Sequence, residues 1–210
     1  VKYELFQRLN TGGTSLSSQE IRNCLLIMEN AKWFDFIKGL SENSNFQEVI
    51  CLTDRQLEEK YDMELVCRYL VGKFTVEDDY RKLSDINDFI NEKIISLIKS
   101  DDFNEAEEKL IFEKVFSLLS SLSLDRPFAK YDEVTKKFKG MFLVSAFETI
   151  AVGLACNCKL YNSGDTSIIE EKIKKIWSLT DFIDSSGSGS SAKTRMGKTI
   201  TIGKNHFSQK

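Results

Sequence analysis

Residues 141–158 have the sequence MFLVSAFETIAVGLACNC, the only stretch of the chain that resembles a membrane span, and the predicted fold is built around it. Its 18 residues include the charged Glu148 and the polar Thr149 and Asn157, whereas a transmembrane helix needs about 20 predominantly apolar residues. We therefore expect a core helix and no membrane association. Because apolar residues occupy nearly every side of this helix, the others should pack around it.

Amphipathic patterns surround this central segment. Apolar residues recur with the 3.6-residue period of a helix that buries one face. The stretches with this period are about 62–74, 84–99, 104–122 and 165–179. Two short stretches stay ambiguous, because residues 46–52 fit a helix or a strand and Thr199-Ile200-Thr201-Ile202 fits a short strand or a docked arm. The predicted fold class is mainly α, a multi-helix bundle with at most one or two short strands.

The composition argues against several classes of function. The single proline, Pro127, favours long helices over loop-rich architectures. His206 is the only histidine and lies near the end of a polar stretch, which argues against Ser-His-Asp or Cys-His catalysis, multi-histidine zinc sites and a nuclease site. The five cysteines form no CxxC pair. Free thiols of this kind are typical of a reducing cytosol, so we predict a cytoplasmic protein.

The charge distribution points to a basic C-terminal end. A net charge of -3 argues against a globally basic nucleic-acid binder. Residues 193–210 nevertheless contain five basic residues and no acid, after a Ser/Gly-rich stretch at 185–191. We expect 185–210 to be a flexible linker and a basic tail, which is either a solvated end or an arm that touches phosphate. The candidate DNA contacts in this tail are Lys193, Arg195, Lys198 and Lys204.

The most informative motif is FQRLNTGGTSLSSQEIRN at residues 6–23. Within it, Ser17-Ser18-Gln19-Glu20 fits a capping box, in which a hydroxyl and a carboxylate cap the first turn of a helix. Gly12-Gly13 leaves backbone N–H groups free to face an anion, and Arg8 and Arg22 flank the turn. The loop could therefore hold phosphate groups, or the glycines simply permit a tight turn between helices. It lacks the spaced second glycine and the following lysine of a P-loop.

This motif resembles one in the N-terminal domain of GmrSD-type modification-dependent restriction systems, which has a ParB/sulfiredoxin-like fold and is linked to nucleotide binding and hydrolysis. The shared pattern is an aromatic residue, Arg, an aliphatic residue, Asn-Thr-Gly-Gly, Leu-Ser, Gln-Glu and Arg-Asn. More loosely, residues 62–69 are similar to a later helix of the family, and residues 142–153 and the basic end are similar to the helical tail of stand-alone members. Glu64 and Arg68 in the first of these stretches are spaced to form an i,i+4 salt bridge.

The resemblance implies a nucleotide pocket and a division of the chain. The residues implied to line the pocket are Arg8, Asn10, Thr11, Gly12 and Gly13, and those implied to support it are Gln19, Glu20, Arg22, Asn23 and Arg68. Residues 1–45 would be the C-terminal part of a ParB-like nucleotide-binding domain, which the first helices complete, and residues 46–184 a helical bundle domain. The family's upstream Asp-Gly-Gln-Arg type motif does not occur in this sequence, so we expect the chain to begin after it.

The function implied by the resemblance is that of a fragment of a bacterial or archaeal defence protein. Such a fragment would contribute the Asn-Thr-Gly-Gly loop to a nucleotide-sensing site and couple that site, through the bundle, to DNA processing. The implied ligand is a nucleoside triphosphate with Mg, hydrolysed only by the full-length protein, and the implied partners are DNA, a nuclease or a second copy of the chain. The alternative is a non-enzymatic helical module that binds protein or DNA.

Overall fold

A computed structural model describes residues 16–81, 83–187 and 192–209. Within these residues, eleven α-helices and one two-stranded antiparallel sheet confirm the predicted mainly α, multi-helix bundle. The helices are α1 (Ser18–Ser41), α2 (Ser44–Ile50), α3 (Asp54–Glu58), α4 (Tyr61–Phe74), α5 (Glu77–Tyr80), α6 (Ile86–Ile98), α7 (Glu105–Ser120), α8 (Val144–Cys156), α9 (Thr166–Lys175), α10 (Thr180–Ser186) and α11 (Ala192–His206). The strands are β1 (Lys130–Asp132) and β2 (Lys137–Lys139), and short 3-10 turns occur at Cys158–Leu160 and Ile176–Ser178.

Helix α8 lies at the centre of the bundle, as its apolar sequence predicts. Every residue from Ser145 to Ala155 is buried, and the helix packs against α4, α7 and α11. Two glycines permit the close approach of α11. A Cβ on Gly153 would lie 2.6 Å from the carbonyl oxygen of Gly203, and a Cβ on Gly203 would overlap the carbonyl oxygen of Thr149. The backbones of α8 and α11 therefore meet where a side chain would hold them apart.

One cluster of buried apolar side chains joins the elements. It extends from Leu26 in α1 to Phe207 just after α11. Its aromatic part includes Phe46, whose ring centroid lies 4.8 Å from that of Phe116 and 5.3 Å from that of Phe112. Helix α1 therefore shares its core with the helices of 46–184.

The beginning of the described chain consists of helices joined by short connections. The ambiguous stretch at 46–52 lies largely in α2, which begins after Asn43 because the Asn43 side chain accepts a hydrogen bond from the backbone N–H of Phe46. Helix α1 is kinked at Asn30, which has φ -162° and ψ 103°. The Asn30 side chain accepts a hydrogen bond from the backbone N–H of Lys32. Asparagine thus acts as a cap at both points, which is a position it favours.

Residues 199–202, for which the sequence left a short strand and a docked arm open, form neither, because they lie inside α11. The alternating Thr-Ile pattern favours a strand locally, but Met196, Ile200 and Phe207 recur at helical spacing and are 0% exposed. Burial of this face against α8 decides the conformation. The predicted basic tail is wrong for 192–206, which form a packed helix, and residues 188–191 of the predicted linker lie outside the described residues.

Candidate functional site

The first turn of α1 carries the second half of the 6–23 motif. Ser17 Oγ accepts a hydrogen bond from the backbone N–H of Glu20 at 3.2 Å, and the Glu20 carboxylate accepts one from the backbone N–H of Ser17 at 2.7 Å. This confirms the capping box. Ser17 Oγ also donates to the carbonyl oxygen of Glu59 at 3.1 Å, which attaches the start of α1 to the end of α3. The predicted pocket residues Arg8, Asn10, Thr11, Gly12 and Gly13 lie outside the described residues.

A buried polar cluster lies one turn further along α1. We call Gln19, Arg22, Asn23, Cys67 and Asn91 the Arg22 cluster. Arg22 is 0% exposed and Gln19 is 1% exposed. Arg22 Nε donates to the side-chain oxygen of Asn91 in α6 at 2.7 Å, and Arg22 Nη1 donates to the side-chain oxygen of Gln19. Gln19 Nε2 donates to the side-chain oxygen of Asn23 at 2.8 Å. The cluster therefore holds the start of α1 against α6.

The thiol in this cluster is not a nucleophile at neutral pH. Gln19 Nε2 lies 3.9 Å from Cys67 Sγ in α4. Burial raises the pKa of Cys67 to about 11, although the nearby Arg22 acts in the opposite direction. A thiolate is needed for nucleophilic or metal-binding chemistry, so Cys67 serves here as a packed, protonated side chain.

A second buried polar cluster joins α4, α8 and α11. We call Glu64, Arg68, Glu148, Arg195 and Thr199 the Glu148 cluster. Arg68 lies 2.7 Å from the carboxylate of Glu64, which confirms the predicted i,i+4 pair, and 2.9 Å from that of Glu148. The other oxygen of Glu148 accepts a hydrogen bond from Thr199 Oγ1 at 3.0 Å and lies 3.8 Å from Arg195 Nε. Glu148 itself is 0% exposed.

The charges of the Glu148 cluster balance, with two guanidinium groups and two carboxylates. Burial lowers the pKa of Arg68, but Glu64 and Glu148 raise it by more, so the net pKa lies above the usual value and Arg68 stays charged. The neighbouring Tyr61 is also affected, and burial is the main reason that its pKa rises to about 12. The cost of burying these ions is offset by their mutual pairing, which makes each partner necessary to the others.

Helix α4 links the two clusters. The consecutive residues Cys67 and Arg68 contact Gln19 of α1 and Glu148 of α8 respectively. The predicted supporting residues are therefore divided between three places. Gln19, Arg22 and Asn23 lie in the Arg22 cluster, Glu20 in the capping box and Arg68 in the Glu148 cluster.

The predicted DNA-contact residues of α11 do not form one exposed basic face. Arg195 belongs to the Glu148 cluster, and its side chain is only 17% exposed. Lys204 Nζ donates to the backbone carbonyl oxygen of Thr75 at 3.2 Å. Lys198 is exposed, and the side chain of Lys193 lies outside the described residues. Two of the four side chains thus contact the bundle itself.

Five members of these clusters are absent from the residues predicted to form a site, namely Glu64, Cys67, Asn91, Glu148 and Thr199. A usable signal existed for Glu148, since it is the only charged residue in 141–158 and a buried carboxylate requires a cation or hydrogen-bond donors. Asn91 gave no local signal, because its partner Arg22 is 69 positions away. Thr199 gave none either, because its role depends on how α11 crosses α8.

The described residues offer little other chemistry. In the ranges 16–81, 83–187 and 192–209, no three His, Cys, Asp or Glu side chains are grouped so that they could hold a metal ion. His206 Nε2 lies 2.9 Å from the carbonyl oxygen of Lys172, and burial is the main cause that lowers the pKa of this histidine. In the same ranges, no helix has the length and apolar character to cross a membrane.

Known proteins do not explain these clusters. No protein-family model, no curated protein and no solved structure matches the chain. The motif and the two buried clusters therefore carry the functional interpretation by themselves.

Proposed function

We propose that this chain is the helical part of a nucleotide-sensing defence protein similar to the GmrSD-type restriction systems. In this proposal the Asn-Thr-Gly-Gly loop at 10–13, together with Arg8, binds the phosphates of a nucleoside triphosphate with Mg. The observation that carries the proposal is the burial of Gln19 and Arg22, 1% and 0% exposed, in the helix that follows the loop. Glutamine and arginine side chains are mostly exposed in proteins, and arginine is almost never fully buried unless it is paired. The burial of Gln19 and Arg22 therefore supports a functional role for the 6–23 motif beyond that of a turn between helices.

The capping box limits where an anion would bind. The backbone N–H of Ser17 and that of Glu20 already donate to side chains of the box. Phosphate would therefore be held by N–H groups of the loop that precedes Ser17 and by the guanidinium of Arg8, which can form paired hydrogen bonds with phosphate oxygens. Arg22 would act as a positioning residue, because it holds the start of α1 against Asn91.

Coupling to a partner would pass through α4. In this helix Cys67 belongs to the Arg22 cluster and the next residue, Arg68, belongs to the Glu148 cluster. The Glu148 cluster also includes Arg195 and Thr199 of α11. A change at the start of α1 would therefore alter the seating of α11, and through it a nuclease or DNA partner. We expect nucleotide hydrolysis only in the full-length protein.

Calorimetric titration with GTP, ATP and CTP in the presence of Mg²⁺ tests the proposal. Arg8→Ala should lower the affinity for the bound nucleotide by at least tenfold, since a hydrogen bond to a charged group contributes about 1.5–3 kcal/mol. The matched control is Arg55→Ala, because the Arg55 side chain is 86% exposed and pairs only with Glu59 among the described residues. This control should bind like the wild type.

Two results would contradict the proposal. One is the absence of binding heat for all three nucleotides, both in this chain and in the full-length protein. The other is an affinity of Arg8→Ala equal to that of Arg55→Ala, which would remove Arg8 from the site. Either result would favour the alternative, in which Gly12-Gly13 is a turn and the helices form a non-enzymatic interaction module.

A further inference from the structure

A basic surface lies away from both buried clusters, on the β1–β2 hairpin and the end of α9. Residues 130–139 contain four basic and two acidic side chains, and residues 170–175 contain three basic and two acidic ones. These two short segments thus have an excess of three positive charges in a chain whose net charge is -3. Such a local concentration of one sign attracts a partner of the opposite sign.

The hairpin presents its lysines on one exposed face. Lys130 pairs with Lys139 across the two strands, and Asp132 pairs with Lys137. Lys139 Nζ contacts the carboxylate of Asp132 at 2.7 Å, while Lys130 and Lys137 have no acidic partner within 4.0 Å among the residues described. Like charges in directly opposed positions destabilise a sheet, so the position of Lys130 opposite Lys139 does not stabilise the hairpin.

The other face of the hairpin attaches it to the bundle. Tyr131 and Phe138 are cross-strand partners on this face, with ring centroids 5.0 Å apart. Strand β1 packs against the 3-10 turn Ile176–Ser178, directly after α9. The lysines of the hairpin and those of α9 are therefore held in a fixed relation to each other.

A cleft of about 670 Å³ lies between the hairpin turn and α9. Its walls include Glu133 from the turn and Glu171, Lys172 and Lys175 from α9. Both carboxylates are already paired, Glu133 with Lys136 at 2.7 Å and Glu171 with a lysine of its own helix at 2.8 Å.

The lysines of this cleft are not all neutralised. Lys172 Nζ donates to the carbonyl oxygen of His206 at 2.9 Å. Lys175 has no acidic partner within 4.0 Å in the described part of the chain. Burial is the main cause that lowers the pKa of Lys172, and the positive charge of the neighbouring Lys175 lowers it further.

We propose that the exposed face of the hairpin and the adjoining cleft bind the phosphate backbone of duplex DNA. Lysines on two elements would contact phosphates, and a two-stranded ribbon fits the major groove of B-DNA. Val134 at the hairpin turn is 93% exposed and would supply an apolar contact to the bases or sugars. A phosphate backbone can enter a cleft whereas a flat bilayer cannot, which favours DNA over an anionic membrane. This site is independent of the nucleotide loop.

Fluorescence anisotropy with a labelled 20-base-pair duplex tests this inference. The double variant Lys137→Gln/Lys175→Gln removes one unpaired lysine from each element. Its matched control is Lys38→Gln/Lys109→Gln, which changes the net charge equally at two lysines whose side chains are 53% and 63% exposed. Thermal unfolding of both variants checks that they remain folded.

The expected effect follows from counterion release. If each lysine neutralises one phosphate, the double variant makes the slope of log K against log[salt] less steep by about 1.8. When the plots of log K against log[salt] for the wild type and the double variant meet at 1 M salt, this slope change corresponds to about 60-fold weaker binding at 0.1 M salt. The control should keep the wild-type slope and lose no more than about twofold in affinity.

Three results would overturn the inference. Wild-type protein without measurable DNA binding would do so, as would equal losses in the two double variants. The third is binding to vesicles containing anionic phosphatidylserine that is lost in Lys137→Gln/Lys175→Gln while DNA binding persists, which would make this surface a membrane contact. Nucleotide binding by Arg8→Ala is measured separately, so failure of one proposal leaves the other standing.

Discussion

Replacing Glu148 by Gln should destabilise the protein strongly, although the side chain keeps its shape. Glu148 is 0% exposed and faces Arg68 at 2.9 Å and Arg195 at 3.8 Å. The amide carries no charge, so the cluster changes from two positive and two negative groups to a net charge of +1. That charge would lie in a largely buried cluster, beside a residue that is 0% exposed.

The magnitude follows from the cost of an uncompensated buried charge. Removing one partner of a buried ion pair costs about 3–5 kcal/mol. Glu64 still pairs with Arg68 at 2.7 Å, so we expect the lower end, about 3 kcal/mol. For a chain of this size, 1 kcal/mol corresponds to about 2–4 °C in Tm, which gives a decrease of roughly 6–12 °C.

Urea unfolding followed by circular dichroism measures this loss. The matched control is Glu133→Gln, because Glu133 forms a 2.7 Å pair with Lys136 but its side chain is 53% exposed. An exposed pair of this kind contributes little to stability, because solvent screens it. A second variant, Glu148→Gln/Arg195→Gln, restores charge balance and should be less destabilised than the sum of the two single changes.

A free energy of unfolding for Glu148→Gln equal to that of the exposed control Glu133→Gln would contradict this expectation. Strict additivity of Glu148→Gln and Arg195→Gln would contradict it equally. The first result would mean that water reaches the cluster. The second would mean that Arg195, at 3.8 Å, does not interact with the carboxylate.

Three other changes test the packing, the helix start and the pH response. Gly203→Ala should destabilise by about 1–3 kcal/mol in urea unfolding, because its Cβ would overlap the carbonyl oxygen of Thr149, whereas Gly39→Ala, with no atom within 4 Å, should stabilise by about 0.5–1 kcal/mol. Ser17→Ala removes the helix cap and should cost about 1 kcal/mol, and an unchanged urea midpoint would contradict the role of the capping box. Burial lowers the folded-state pKa of His206 below its ordinary 6.5. The stability that the buried neutral imidazole contributes is therefore complete above pH 6.5 and is lost as the pH falls through the folded pKa. A pH series of unfolding curves should therefore show a smaller acid-side loss in His206→Gln, and parallel losses in both proteins would count against this assignment.

Much of the helical architecture follows from the sequence. The predicted helices at 62–74 and 104–122 correspond to α4 and α7, and the predicted central helix corresponds to α8. These segments are predictable because apolar spacing, N-terminal caps and glycine or proline breaks are local features. The capping box at Ser17 and Glu20 is of the same kind, since all its atoms lie within one helical turn.

The strands show where local patterns fail. Residues 46–52 and 199–202 fit strands by composition, yet both lie in or beside helices, while nothing in the sequence pattern indicated the hairpin at 130–139. A β-branched alternation is a weak preference that burial of a helical face overrides. The hairpin has only three residues per strand, too few to show a period.

The candidate site, like the fold, is only partly predictable from local sequence. The motif at 6–23 is sufficient to single out Gln19 and Arg22, because the residue types and their order are local information. Asn91 is not identifiable from any motif, since it lies 69 positions from the arginine that it contacts. Glu148 stands out as the only charge in an apolar stretch, but its partner Arg68 lies 80 positions away.

The amino-acid sequence alone predicts a mainly α protein with a central apolar helix and a capped helix that begins after Ser17, both of which the structure confirms. Tertiary packing was needed to show that 192–206 is a core helix, and that Glu148 is neutralised by arginines from two other helices. The difference lies in the range of the interactions. Helix formation depends on residues three or four positions apart, whereas burial and ion pairing depend on which distant segments meet, as α8 and α11 do at Gly153 and Gly203.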